Sequence, residues 1–162
     1  MTELSDRDLT HLRTCVDLAR QALDSGSRPF GSILVDAAGT VLFQDHNHAG
    51  SGDPTQHPEF AIARWAVANV PPADRPRCVV YTSGEHCPMC SAAHAFVGLG
   101  RIVYAASTEQ LLGWLTEWGV ATGPVSPLPI NAVAPGIEVA GPAPELADEL
   151  RDLHARLHGV TA

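Results

Sequence analysis

The sequence lacks long apolar runs and a leader-like start. No stretch approaches the roughly 18 uninterrupted apolar residues of a membrane helix. The opening residues 1–6 also lack the basic and apolar regions of a secretion signal. These two absences predict a soluble, cytoplasmic protein that has no membrane partner.

Basic residues are scarce as well. Lysine and arginine together number 10 against 18 acidic residues, which gives a formal net charge of −8. Affinity for nucleic acid rests largely on basic side chains at the phosphates. The charge balance therefore disfavours a nucleic-acid partner.

Cysteine is too rare for a disulfide scaffold, since the chain has four. Cys87 and Cys90 form a Cys-x-x-Cys pair, whereas Cys15 and Cys78 fall in apolar stripes, where cysteine behaves as a small hydrophobic residue. This usage favours a reducing compartment.

The composition is that of a folded protein. Of the 162 residues, 45% are hydrophobic and 17% are charged, and the length is that of one ordinary domain. We expect a single domain over residues 1–162, with a motif-bearing core at about 28–106 and a C-terminal loop and helix at 119–158.

Apolar periodicity and turn residues predict alternating helices and strands. Such alternation with short connections indicates an α/β fold with crossovers and a largely parallel part of the sheet, so active groups belong at loop ends and helix starts. The predicted helices are 6–25, 58–70, 88–97, one after Ser107, and 144–158; the predicted strands are 30–36, 41–44, 78–82, 102–106 and 137–140, and 119–136 is a long loop.

Two short motifs begin two of the predicted helices. His57-Pro58-Glu59 starts one helix, and Cys87-Pro88-Met89-Cys90 starts the next. The free N–H groups and positive dipole end of a helix start favour thiolates and carboxylates. One histidine and two cysteines supply the three protein ligands of a catalytic zinc site, which leaves the fourth position for water.

Glu59 has the position of a proton carrier. Zinc lowers the pKa of its bound water to about 7, and a carboxylate two residues beyond a ligand can take that proton. Hydrolysis of an exocyclic amine then needs one proton at a ring nitrogen and one at the leaving ammonia, and one carboxylate can shuttle both.

These motifs match the H-x-E and P-C-x-x-C signature of zinc deaminases. With Pro29-Phe30-Gly31, Asn47, Asp53-Pro54-Thr55 and Tyr81-Thr82-Ser83, the chain resembles the cytidine deaminase-like superfamily, especially its guanine deaminase and tRNA adenosine deaminase branch. The resemblance implies a three-layer αβα sandwich around a mixed sheet of about five strands, a homodimer, and deamination of a small heterocycle such as guanine, cytosine or an aminated or aza analogue.

The resemblance also implies substrate-binding residues. Asn47 matches the family asparagine that hydrogen-bonds the substrate, Phe30 lies in the matched first strand, Glu85 stands before the first cysteine, and Phe96 falls where an aromatic lies against the base. Beyond the matched region, Trp114 and Glu117 share a helix face. An aromatic stripe on a helix face ordinarily packs in the core. Alternatively, this face closes the substrate pocket, and Glu117 accepts a hydrogen bond from a substrate amine.

Two positions depart from the family pattern. Pro58 replaces the usual alanine and removes a backbone N–H. Our hypothesis is that the chain prefers a heterocycle that does not need this donor. His86 replaces a proline before Cys87; it is either tolerated, a support for a thiolate, or a competing ligand, and we favour tolerance because three ligands and water complete a tetrahedron.

Other interpretations remain open at this point. The Cys-x-x-Cys pair is also typical of a structural zinc knuckle or of a redox-active pair, although a knuckle requires a fourth protein ligand. Glu59 could serve only to complement the dipole of its helix. Asn47 could be an ordinary turn residue. The alternatives to a small-molecule deaminase are a tRNA adenosine deaminase and an inactive zinc-stabilised binding module.

Overall fold

The computed structural model describes residues 4–160. Residues 161–162 lie outside this range, and so do residues 1–3, which belong to the segment whose composition was compared with a secretion signal. The described residues form six α-helices and five strands. The helices are α1 Asp6–Asp24, α2 Pro58–Asn69, α3 Pro88–Val97, α4 Thr108–Glu117, α5 Ile130–Val133 and α6 Pro144–Leu157; the strands are β1 Gly31–Val35, β2 Val41–His46, β3 Val79–Gly84, β4 Ile102–Ala106 and β5 Val139–Ala140.

The five strands make one mixed sheet in the order β2-β1-β3-β4-β5. β1 pairs antiparallel with both β2 and β3, whereas β3, β4 and β5 run parallel. The parallel part follows from the crossover connections through α3 and α4. The predicted fold class, a three-layer αβα sandwich with a mixed sheet of about five strands, is confirmed.

Helices cover both faces of the sheet and bury two apolar clusters. One cluster joins α1 and α6 to one face, and the other joins α2 to the opposite face. Gly31 permits the close contact of α1 with β1, because a Cβ there would lie 2.4 Å from the Cβ of Leu18. Each side chain on the strands therefore faces one of two helical layers.

Helix starts are fixed by local chemistry. A capping box joins Ser5 and Asp8 at α1, and another joins Ser107 and Gln110 at α4. The first residue of α2 is Pro58, and the first residue of α3 is Pro88. Because proline has no N–H, it leaves no backbone donor unsatisfied at a helix start. His57 and Cys87 thus become the N-cap residues of the two helices.

The predicted loop at 119–136 is wrong in one part. Ile130–Val133 forms a helical turn, α5. The side chain of Ile130 is fully buried, and its N–H donates to Oε1 of Glu85 at 2.9 Å. A long-range carboxylate thus fixes this turn, and local sequence carries no signal of it.

None of the helices within residues 4–160 combines the length and the apolar character that a membrane crossing requires.

The packing of the core predicts that replacing two different leucines by alanine has very different effects on stability. Leu150 on α6 is 1% exposed, whereas Leu128 in the loop before α5 is 45% exposed. We expect Leu150→Ala to lower the free energy of unfolding by about 2–5 kcal/mol and Leu128→Ala to change it by about 0.5 kcal/mol or less. Urea denaturation of the zinc-loaded proteins measures both values, and equal losses would contradict the packing of α6 on the sheet.

Candidate metal and catalytic site

The first turns of α2 and α3 meet at one point. Nδ1 of His57 lies 3.6 Å from Sγ of Cys87 and 3.6 Å from Sγ of Cys90, and the two sulfur atoms are 3.6 Å apart. Tetrahedral zinc bonds of about 2.3 Å to sulfur and 2.0–2.1 Å to nitrogen imply ligand separations of roughly 3.5–3.8 Å. The three atoms therefore fit one zinc ion.

The cluster contains three protein ligands, as a catalytic site requires. Among residues 4–160, the group of metal-ligating side chains found here is His57, Cys87 and Cys90. Cys90 is buried, whereas His57 and Cys87 are partly exposed. His86 does not belong to this group; its buried ring lies edge-on to His94, with the ring centroids 5.5 Å apart. The ligand set thus leaves a coordination position for a non-protein group.

Electrostatics at the cluster favour a thiolate at Cys87 and a thiol at Cys90. A hydrogen bond from Cys90 is the main cause that lowers the pKa of Cys87 to about 4. The same hydrogen bond, with burial and the charge of Glu59, raises the pKa of Cys90. The Cys87 sulfur in turn raises the pKa of His57. Without a cation, the group therefore holds protons that a metal ion would displace.

Glu59 lies beside the cluster on the first turn of α2. One of its oxygens, Oε2, is 3.8 Å from Sγ of Cys90, and the other, Oε1, accepts hydrogen bonds from Ser32 and Thr82 at 2.9 Å each. Burial raises the pKa of the Glu59 carboxyl, although the nearby His57 charge lowers it. A buried carboxyl with a raised pKa suits reversible proton transfer near neutral pH.

Asn47 offers a free donor close to β1. Its backbone N–H donates to the Phe30 carbonyl at 2.9 Å, and its Oδ1 accepts from the Ala49 N–H at 2.9 Å. The side chain is 1% exposed, yet Nδ2 has no hydrogen-bond partner within the described part of the chain. An unsatisfied buried amide is costly and calls for a partner, so an acceptor on a ligand suits this position.

Phe30 forms an aromatic wall with residues from the C-terminal half. Its ring lies so close to Gly84 that a Cβ at that position would be 2.7 Å from Cε1. His154 of α6 lies edge-on to Phe30 at 5.1 Å between centroids, and Trp114 of α4 lies 6.0 Å from His154. Burial lowers the pKa of His154 to about 3. The wall is therefore neutral and largely apolar at physiological pH.

Three further predicted residues lie in different surroundings. Both carboxylate oxygens of Glu85 accept backbone N–H groups, from Thr108 at 2.8 Å and Ile130 at 2.9 Å. Glu117 is paired with Arg151 at 2.6 Å on the surface. Phe96, in the last turn of α3, is 91% exposed. Their roles in substrate binding stay predictions, and Glu85 has the evident task of tying α4 and α5 to the loop before Cys87.

Sequence reasoning missed Ser32, Thr82 and His154. The first two are polar residues in largely buried strands, and they are direct partners in the antiparallel register of β1 and β3. A polar residue in a buried strand needs a hydrogen-bond partner, which is the signal that could have found them. His154 follows the apolar stripe of α6 and carries no such signal.

Comparison with known proteins assigns the family. Residues 5–106 match the family model described as the cytidine and deoxycytidylate deaminase zinc-binding region. The probable cytosine deaminase of Schizosaccharomyces pombe is 37% identical over 147 residues, which cover 87% of each protein. The guanine deaminase of Bacillus subtilis is 33% identical over 98 residues, or 60% of this chain and 63% of that protein.

A solved structure extends the likeness to the C-terminal half. The guanine deaminase of Nitrosomonas europaea superposes with a TM-score of 0.71 at 21% identity, covering 96% of this chain and 87% of that one. At this identity the superposition shows a shared fold. The resemblance inferred from the motifs is confirmed: this chain belongs to the cytidine and deoxycytidylate deaminase zinc-binding family.

Proposed function

We propose that the protein is a zinc-dependent hydrolase that removes an exocyclic amine from a small nucleobase-like heterocycle and releases ammonia. One observation carries the proposal. Three ligand atoms stand 3.6 Å apart, and a buried carboxylate outside the ligand set lies 3.8 Å from one of them. This is the arrangement that metal-assisted hydrolysis with a separate proton carrier requires.

In this proposal His57, Cys87 and Cys90 hold the zinc ion. Zinc held by these residues would acidify a water molecule and so would supply a nucleophile near neutral pH. The positive ends of α2 and α3 add to the attraction for the thiolates that bind it. The three side chains stand at the starts and first turns of α2 and α3, so the packing of these two helices brings the ligand atoms together.

Glu59 then moves two protons. It takes one from the attacking water and gives it to a ring nitrogen of the substrate, while the oxygen forms its bond to the amine-bearing carbon. It takes the second from the new hydroxyl group and gives it to the amine as the carbon–nitrogen bond breaks. Water and amine thus become carbonyl and ammonia, and the carboxylate ends as it began.

Asn47 and Phe30 supply the recognition groups in the proposal. The free Nδ2 of Asn47 donates to a carbonyl or ring acceptor, and the ring of Phe30 lies against the flat heterocycle. The apolar wall behind Phe30, built by Trp114 and His154, limits access of bulk water. Cytosine and guanine, the bases named for the two curated relatives, belong to this class of substrate.

We also propose a homodimer in a reducing compartment such as the cytoplasm. The four cysteines are all free thiols in the structure, which suits a reducing environment. The dimer rests on the resemblance to the family. Light scattering of the zinc-loaded protein measures the molar mass, and a monomer at micromolar concentration contradicts the dimer.

Glu59→Ala tests the proton carrier. We expect ammonia release to fall by at least about 100-fold, because general acid–base catalysis contributes that much or more, while zinc content stays at one ion per chain. The matched control is Glu145→Ala on the exposed first turn of α6, which should keep both properties. Retained activity in Glu59→Ala would refute the assignment.

Zinc affinity should rise with pH. The pKa values of Cys90 and His57 are raised in the metal-free protein, so both groups hold protons at pH 6 that must leave when zinc binds. Competition with a chromophoric chelator at pH 6 and pH 8 measures the affinity. Cys15→Ala, a buried thiol away from the cluster, should show the same rise, and an affinity independent of pH would contradict the proposal.

Pro58→Ala tests the substrate hypothesis. The change restores a backbone N–H in the first turn of α2. One hydrogen bond changes relative kcat/KM values by roughly 3–10-fold, so we expect the profile over guanine, cytosine and aminotriazines to broaden or shift. An unchanged profile in a coupled ammonia assay counts against a specificity role for Pro58.

A further inference from the structure

Two hydroxyl groups hold the carboxylate of Glu59 from below. Ser32 on β1 and Thr82 on β3 are both fully buried and lie opposite each other in the antiparallel register. Their oxygens are 2.8 Å apart, and each lies 2.9 Å from Oε1 of Glu59.

The pair occupies the sheet face that α2 covers. Leu34 and Val80, two residues away on the same strands, pack in the cluster that contains the buried residues of α2. Because strand side chains alternate between faces, Ser32 and Thr82 continue this apolar face toward the metal site. Hydroxyl groups placed there without a partner would be destabilising, and Glu59 is the partner that α2 supplies.

The hydrogens of the two hydroxyl groups limit how the pair can bind the carboxylate. The two hydroxyl groups carry one hydrogen each, but the oxygens make contacts with Oε1, with each other and, from Thr82, with the Gly84 carbonyl at 3.0 Å. With an ionised carboxylate, both hydroxyls donate to Oε1.

We propose that Ser32 and Thr82 are positioning residues that fix Oε1 of Glu59, so that Oε2 faces the metal site. The inference rests on the proposed function of Glu59. Each hydroxyl keeps its own hydrogen throughout, so the transferred proton stays between substrate and carboxyl. Donors that are already in place respond to the changing charge at little cost in reorganisation.

Matched variants separate the hydroxyl from the packing at position 82. Thr82→Val keeps the shape and removes the hydroxyl, whereas Thr82→Ser keeps the hydroxyl and removes a methyl group. We expect Thr82→Val to lower kcat by at least about 10-fold with KM changed by about 2-fold or less, and Thr82→Ser to stay within about 3-fold of the unchanged protein. Adding Ser32→Ala to Thr82→Val should lower kcat further.

Ser83→Ala is the control for losing a buried hydroxyl on the same strand. Ser83 accepts the Gly31 N–H at 3.1 Å on the other face of β3 and has no part in the Glu59 contacts. We expect it to lose stability but to keep kcat and zinc content. Zinc content of all variants, measured by atomic emission, should remain at one ion per chain.

A readout that is independent of activity decides the positional claim. In a crystal structure of the zinc-loaded Ser32→Ala, Thr82→Val double variant, we expect the Glu59 carboxylate to have left its place above the sheet. A carboxylate that keeps its position, an unchanged kcat in Thr82→Val, or an equal loss in Thr82→Ser would each overturn the inference. If neither the wild-type protein nor Ser83→Ala releases ammonia, the proposed function is overturned instead. The crystal structure of the double variant then still decides whether Ser32 and Thr82 position the Glu59 carboxylate.

Discussion

The site depends on the N-termini of α2 and α3, which meet beside the central strands of the sheet. His57 and Cys87 are the N-cap residues of α2 and α3, and the proline that follows each of them begins the helix without an unsatisfied N–H. This construction gives three ligand atoms equal separations of 3.6 Å. It also directs the positive ends of two helices toward the same thiolates. Any shift of one helix start relative to the other would disrupt the cluster.

The sheet supports this meeting point from below. β3 ends just before the loop that carries Cys87, and β1 beside it carries Ser32, so the floor of the site is formed by paired strands whose register is fixed by a packed core on both faces. Glu59 is therefore held between α2 and the sheet. Its two oxygens have different surroundings, since Oε1 faces hydroxyl donors and Oε2 faces the sulfur of Cys90. This asymmetry suits a carboxyl group that exchanges a proton on one side.

The residues that the sequence predicts best are those with a strong local signal. The bounds of α3 and β4 follow from periodicity and proline positions, and the fold class follows from the alternation of helices and strands. The convergence of His57 with Cys87 and Cys90 follows from zinc chemistry and motif spacing. Contacts between residues distant in sequence could not be predicted in this way. The first residue of α5 is tied to the Glu85 carboxylate, and the wall behind Phe30 comes from α4 and α6, which lie beyond the region of motif resemblance.

The central claim is most directly tested by the position of the metal. A crystal structure of the zinc-loaded protein, with anomalous diffraction measured on both sides of the zinc absorption edge, locates the ion without assumptions. We predict one ion at about 2.3 Å from the sulfur atoms of Cys87 and Cys90 and at about 2.0–2.1 Å from Nδ1 of His57, with no fourth protein ligand. An ion bound elsewhere, or a fourth bond to Glu59 or His86, would contradict the account.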